Sequence, residues 1–166
     1  MRVESFKGAE PRFEVEAYFE GRTEAWGMFV DRFGVLRRQF RVEIDGRAEG
    51  EEYALYERFL YDDGEREERT WRVRRIDEHR YTGRAENIVG EAEGAVYGNA
   101  LNWRYDFDLD IGGKFLRVKF DDWMFLQEGG VMLNRSRITK FGFALGDVFI
   151  SFSKPAMEQA VVQAAE

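Results

Sequence analysis

The chain has 166 residues, 44% of them hydrophobic and 16% aromatic, with a net charge of −7 and no cysteine. That length carries one domain with a real core rather than two. The acidic balance excludes a general nucleic-acid binder, which needs a Lys/Arg surplus to neutralise phosphates, and the missing cysteines exclude disulfides and thiolate chemistry.

Met1 to Arg12 carries Glu4 and Glu10 and no apolar run, which speaks against a signal peptide. No stretch approaches the ~20 apolar residues of a membrane span, so a cytoplasmic protein is expected. Phe13 to Phe19 reads as a short helix or turn. Candidate strands then follow at Arg22–Arg32, Val35–Ile44, Glu51–Tyr61, Arg69–Asp77, Tyr81–Asn87, Glu91–Asn99, Leu101–Ile111, Phe115–Leu126, Val131–Phe141 and Asp147–Phe152. Their breaks carry turn residues: Phe33-Gly34, Asp45-Gly46, Asp62-Asp63-Gly64, Gly112-Gly113, Gly129-Gly130 and Leu145-Gly146. Gly83, Gly90, Gly94 and Gly98 lie within or beside strands, where glycine marks bends or bulges. After Pro155 the run Met157 to Ala165 predicts a short C-terminal helix, so the expected division is a barrel over 1–154 and a tail over 155–166.

Leu101 to Leu126 specifies its own pairing. Trp103, Tyr105, Phe107 and Leu109 alternate with Arg104, Asp106, Asp108 and Asp110, the period of a half-buried strand. Gly112-Gly113 can supply the two positive φ values of a type I′ turn. Folding there sets Leu109 on Leu116, Phe107 on Val118 and Tyr105 on Phe120, with Asp108 against Arg117 and Asp106 against Lys119 on the other face. A slip of one residue would destroy both matches. Asp122 is the exception, falling on the apolar face opposite Trp103.

About ten sequential antiparallel strands curl a sheet until it closes or splits. The expected fold is therefore all-β: a single up-and-down, lipocalin-like barrel with room for a small ligand. A two-sheet sandwich is the second choice.

Polar residues on apolar faces are the only candidate site residues. Arg38 interrupts Leu36, Phe40, Val42 and Ile44, and Glu57 interrupts Tyr53, Leu55, Phe59 and Tyr61. If Asp45 to Gly50 is a loop, the two face each other inside the barrel, either as a structural ion pair or as an anchor for a ligand carboxylate. Asp122 depends on the turn before Val131. A two-residue turn would point Arg135 and Arg137 inward. A three-residue loop would instead bring Asn134 and Ser136 inward beside Asp122, and it is preferred because it avoids desolvating two arginines.

The segments Trp71–Gly83, Asn99–Tyr105, Asp121–Phe125, and Met132–Arg135 through Lys140–Gly142 resemble a bacterial family of uncharacterised proteins. Its members are often predicted lipoproteins with a lipocalin-like barrel. The resemblance extends from Tyr18 to Lys154. It implies the fold and no activity, assigns no functional residue, and carries over no membrane anchor to a chain without leader or lipidatable cysteine.

No catalytic set, phosphate loop, metal site or cofactor motif is visible. His79 stands alone among charges in Asp77-Glu78-His79-Arg80, and the basic run Arg72-Val73-Arg74-Arg75 reads as a solvated strand face. The expected function is non-enzymatic binding of a small amphipathic or lipid-like ligand by Arg38, Glu57, Trp103, Asp122, Asn134 and Ser136, with no nucleic acid and no membrane span. The alternatives are an enzyme using Asp122 or Glu57 as general acid or base and a filled barrel serving protein interactions.

Overall fold

The structure, a computed structural model, describes residues 1–155; the C-terminal helix expected over Met157–Ala165 lies outside them. Ten antiparallel strands close on themselves, each hydrogen-bonded to its sequence neighbours and the first to the last. They are β1 (Gly21–Asp31), β2 (Leu36–Glu49), β3 (Glu52–Tyr61), β4 (Arg66–Arg75), β5 (Arg80–Arg84), β6 (Ile88–Tyr97), β7 (Ala100–Ile111), β8 (Lys114–Leu126), β9 (Met132–Lys140) and β10 (Phe143–Ser153). The expected barrel is the observed one.

The β7–β8 hairpin has the register read from its alternation. Tyr105 pairs with Phe120, Asp106 with Lys119, and Trp103 with Asp122. Gly112 and Gly113 take φ of 61° and 87°, as the tight turn requires. The three-residue loop before β9 is also found: Glu128–Gly130 reverses the chain with Gly129 and Gly130 at φ of 79° and 77°, Leu126 pairs with Met132, and Asp122 pairs with Ser136.

Two breaks read as turns are not turns. Gly46 lies inside β2, where a Cβ would come within 2.0 Å of the Phe19 carbonyl oxygen. Gly146 lies inside β10 beside a bulge, where a Cβ would come within 2.5 Å of Val30 O. Gly46 admits the backbone that crosses at Phe19, and Gly146 a close approach of the neighbouring strand β1 at the bulge; both needs leave the same local signature as a turn. The true reversals fall at Gly50, between paired Glu49 and Glu52, and at Phe141-Gly142.

The two ends of the barrel differ. Helix α1 (Val15–Tyr18) closes one end, and a 3-10 turn (Val3–Phe6) packs beside it on the outer wall, with Phe6 against Trp123 and Phe125. Phe13, Val15, Tyr18 and Phe19 are buried there, and the Tyr18 hydroxyl donates to Gly130 O at 2.8 Å. The α1 carboxylate Glu16 accepts from Arg75 at 2.7 Å and from Tyr81 at 2.7 Å, joining the plug to β4 and β5. The β1–β2, β3–β4, β5–β6, β7–β8 and β9–β10 reversals ring the other end.

The wall is thinned on purpose where Trp103 packs. A Cβ on Gly94 would lie 2.4 Å from Trp103 Cε3, and one on Gly83 would lie 2.7 Å from its Cζ2. The indole thus fills the space that two side chains would take. Gly94→Ala should cost roughly 1–3 kcal/mol, the scale of overpacking a core. Urea titration checks this, and an unchanged midpoint would show that the indole can move aside.

Candidate ligand-binding cavity

Above the plug the barrel is not filled. A cavity of about 620 Å³ runs from Val15 and Phe19 up to Arg38 and Glu65 at the mouth, within the usual range for small-molecule sites. Its lower walls are aliphatic and aromatic, including Leu55, Leu101, Trp103 and Phe152. Its middle is polar. β3 supplies Glu57, β4 Arg69, β7 Tyr105, and β8 Asp122, all lining the same space.

Arg69 lies directly across the ladder from Glu57. Its Nη2 donates to Glu67 at 2.6 Å, and the Tyr61 hydroxyl donates to the other Glu67 oxygen at 2.8 Å. The guanidinium also lies 4.9 Å from the Phe107 ring centre. Burial alone would lower the pKa of Arg69, and the Glu57 and Glu67 carboxylates more than reverse it.

The two deeper acids behave differently. Burial pushes Glu57 up to about 7, with Arg69 opposing and Glu67 and Asp122 adding to the rise. Burial also pushes Asp122 up to about 7, against the stabilising Ser136 and Tyr105 hydroxyls. Tyr105, raised chiefly by burial and then by Asp122, stays protonated. Glu57 Oε1 and Asp122 Oδ1 are buried and without a hydrogen-bond partner among the described residues. Such groups are rare in folded proteins because each carries an uncompensated desolvation cost.

The sequence-derived site residues divide. Trp103, Asp122, Asn134 and Ser136 come together as expected. Asp122 lies across from Trp103 on one side and Ser136 on the other, and Ser136 Oγ donates to Asn134 Oδ1 at 3.2 Å. Glu57 also lines the cavity. The expected Arg38–Glu57 pair does not form. Because β2 continues through Gly46, Glu57 pairs with Ile44, and Arg38 sits near the mouth. There Arg38 donates to Glu65 at 2.6 Å and to Asp63 at 3.3 Å, with its guanidinium 3.5 Å from the Tyr61 ring centre.

Arg69 and Tyr105 were not among the expected site residues. Starting β4 at Arg69 hid the alternation Glu67, Arg69, Trp71, Val73. Folding the chain about Asp62-Asp63-Gly64 would have set Arg69 on Glu57. The basic run after it is partnered rather than merely solvated: Arg72 meets Glu49 at 2.9 Å, and Arg75 meets Glu16. His79 is held by stacking on Tyr97 at 3.9 Å and by Nδ1 against Val96 O at 2.9 Å.

The fold and cavity can now be set beside known proteins. Residues 1–154 match the family described as protein of unknown function (DUF3833). The chain belongs to that family. No curated protein matches it in sequence. Among solved structures it is similar to the S-type phycobiliprotein lyase CPES from Guillardia theta, at 13% identity and a TM-score of 0.60. The alignment covers 93% of this chain and 98% of that one. At that identity the likeness is one of fold. Among the described residues no helix is long and apolar enough to cross a membrane, and no group of three or more His, Cys, Asp or Glu is placed to hold a metal ion.

Proposed function

We propose that this member of the family binds a small amphipathic molecule inside the barrel, with the polar part of the ligand at Glu57, Asp122 and Tyr105. The observation that carries the reading is a cavity with mostly apolar walls whose lining includes Glu57 and Asp122, each with one buried carboxyl oxygen that has no hydrogen-bond partner among the described residues. A pocket of this composition orients a ligand through a few polar groups and gains affinity from its apolar walls. A lyase of the same fold is a precedent for a barrel put to work on other molecules, though fold alone does not assign function.

The cavity also limits the ligand's chemistry. Glu57, Glu67 and Asp122 outnumber Arg69, and Arg38 is already neutralised by Glu65 and Asp63. A carboxylate head group would find no unpaired cation among the described residues and would oppose ionisation of Glu57 and Asp122, whereas an amide, amine or hydroxyl could hydrogen-bond to these carboxyls. The fitting ligand is therefore apolar over most of its length and carries hydrogen-bond donors. Native mass spectrometry of protein purified without detergent should show a retained mass. N-phenyl-1-naphthylamine, an apolar probe with one N–H donor, should fluoresce on binding. Glu57→Leu with Asp122→Leu should weaken that probe by roughly tenfold, the worth of one charged hydrogen bond. The absence of both a retained mass and probe binding would overturn the reading.

A second reading rests on the same acids. Carboxyls held near neutrality inside a cleft are suited to general acid–base work. Turnover of the retained molecule by purified protein, abolished by Asp122→Asn, would select it.

A further inference from the structure

The rim of the open end is divided. Three hairpin tips that are neighbours around the barrel, β1–β2, β9–β10 and β7–β8, carry Phe33, Phe141, Phe143 and Phe115. These rings are 72%, 86%, 71% and 66% exposed. Large apolar side chains left this open at adjacent tips are unusual, because each one adds uncompensated apolar surface to water. The same tips carry Arg32, Lys114 and Lys140, and none of the three forms an ion pair among the described residues. Arg32 lies 4.6 Å from the Phe33 ring centre and Lys140 4.5 Å from that of Phe141. The acids on this arc are used locally: Asp31 binds Arg37 at 2.5 Å, and Asp110 accepts the Gly113 N–H at 2.9 Å. The opposite arc carries its charges in mixed sign, with Asp62, Asp63 and Glu65 beside Arg66 on one tip, two of these acids paired with Arg38, and Glu86 on the next.

We infer that these three tips dock the mouth of the barrel on an anionic lipid surface. The charge pattern selects that partner. A chain of net charge −7 keeps three cations, none with an acidic partner among the described residues, beside its exposed phenylalanines on one arc of the rim, Lys140 donating only to the Arg117 carbonyl at 2.9 Å. Aromatic side chains insert at the boundary of headgroup and acyl chain, and flanking Lys or Arg bind anionic headgroups. The wall below the mouth is laced with ion pairs, such as Arg58–Asp45 at 2.8 Å and Arg22–Glu43 at 2.9 Å, which keeps the contact at the tips. Docking there turns the mouth toward the bilayer, the direction from which an amphipathic guest could enter or leave without crossing water. The inference rests on the rim and not on the cavity, so it and the proposed ligand binding can fail separately.

Co-sedimentation with vesicles of equal parts phosphatidylcholine and phosphatidylglycerol tests it, with pure phosphatidylcholine vesicles for comparison. Binding is expected to the anionic vesicles and to weaken as salt screens the cations. Combining Phe33→Ser, Phe141→Ser and Phe143→Ser should weaken binding at least roughly tenfold. Lys140→Ser and Lys114→Ser should each cost roughly fivefold. Ile76→Ser, at an exposed apolar residue near the plugged end, should change nothing. All but the half-buried Lys140 lie at exposed positions, and circular dichroism confirms the fold of each. No binding to anionic vesicles, or equal loss with Ile76→Ser, overturns the proposal. So does a concentration-dependent dimer in sedimentation velocity that the triple variant abolishes without vesicle binding, which would assign the face to a second copy of the chain.

Discussion

Asp122→Asn should stabilise the protein at about pH 8 by on the order of 2–3 kcal/mol and leave it nearly unchanged at about pH 4. The carboxyl rises from an ordinary 3.8 to about 7 on folding. Between those values the folded state keeps the proton that the unfolded chain has released, so stability falls as pH rises through this window. The cost is absent below the unfolded value, grows across the window, and is complete above about 7. Asparagine keeps the shape and removes the charge, and its amide can still hydrogen-bond to Ser136 and Tyr105. Glu57 follows the same sign, from 4.5 to about 7, so Glu57→Gln should flatten the profile further. Urea titrations across this range measure the slope directly. A wild-type stability that climbs from about pH 5 to 8, with an unaltered slope in Asp122→Asn, would show that the acid is solvated in the cavity. That result would also remove the main support for a ligand site built on its free oxygen.

Removing the cation beside these acids should have the opposite effect. Arg69→Met is expected to destabilise the fold by about 3–5 kcal/mol near pH 8, the usual cost of leaving buried charge unpaired. The Arg69 side chain is only 15% exposed, and it faces Glu57 across the ladder while binding Glu67. Losing it strands two carboxylates with only the Tyr61 hydroxyl as a partner, on Glu67. The loss should shrink near pH 5, where Glu57 can take up a proton. Adding Glu57→Gln to Arg69→Met should recover a large part of it, and a double-mutant cycle measures that coupling. Additive effects of the two substitutions would mean that Arg69 serves Glu67 alone.

These predictions concern residues that the sequence revealed unequally. Asp122 was legible because it stands in a strand whose alternation, turn glycines and cross-strand charges all agree. Any register that buries Tyr105 and Phe120 also buries Asp122 beside Trp103. Asn134 and Ser136 followed from the cost of desolvating Arg135 and Arg137, which the structure instead pairs with Asp147 on the exposed side at 3.2 and 3.1 Å. Arg69 was equally derivable in principle, from the hairpin at Asp62-Asp63-Gly64, but only with the strand extended back to Arg66.

By itself, then, the sequence determined the meander and the inward faces of β7 and β8, because period-two patterning and turn chemistry act between neighbouring segments. It favoured a barrel over a sandwich and left the face of β9 to one turn, while closure came from pairing β1 with β10. Contacts distant in the chain decided the rest. Gly46 and Gly146 look like turns until Phe19 and Val30 are brought against them. Continuing β2 through Gly46 is what separates Arg38 from Glu57. Whether the interior is open depends on how ten strands space themselves and on the N-terminal plug stopping at one end. The rim of phenylalanines likewise exists only after closure sets three hairpins, scattered from Arg32 to Phe143, side by side. A local pattern fixes which way a side chain points; only closure fixes what it meets there.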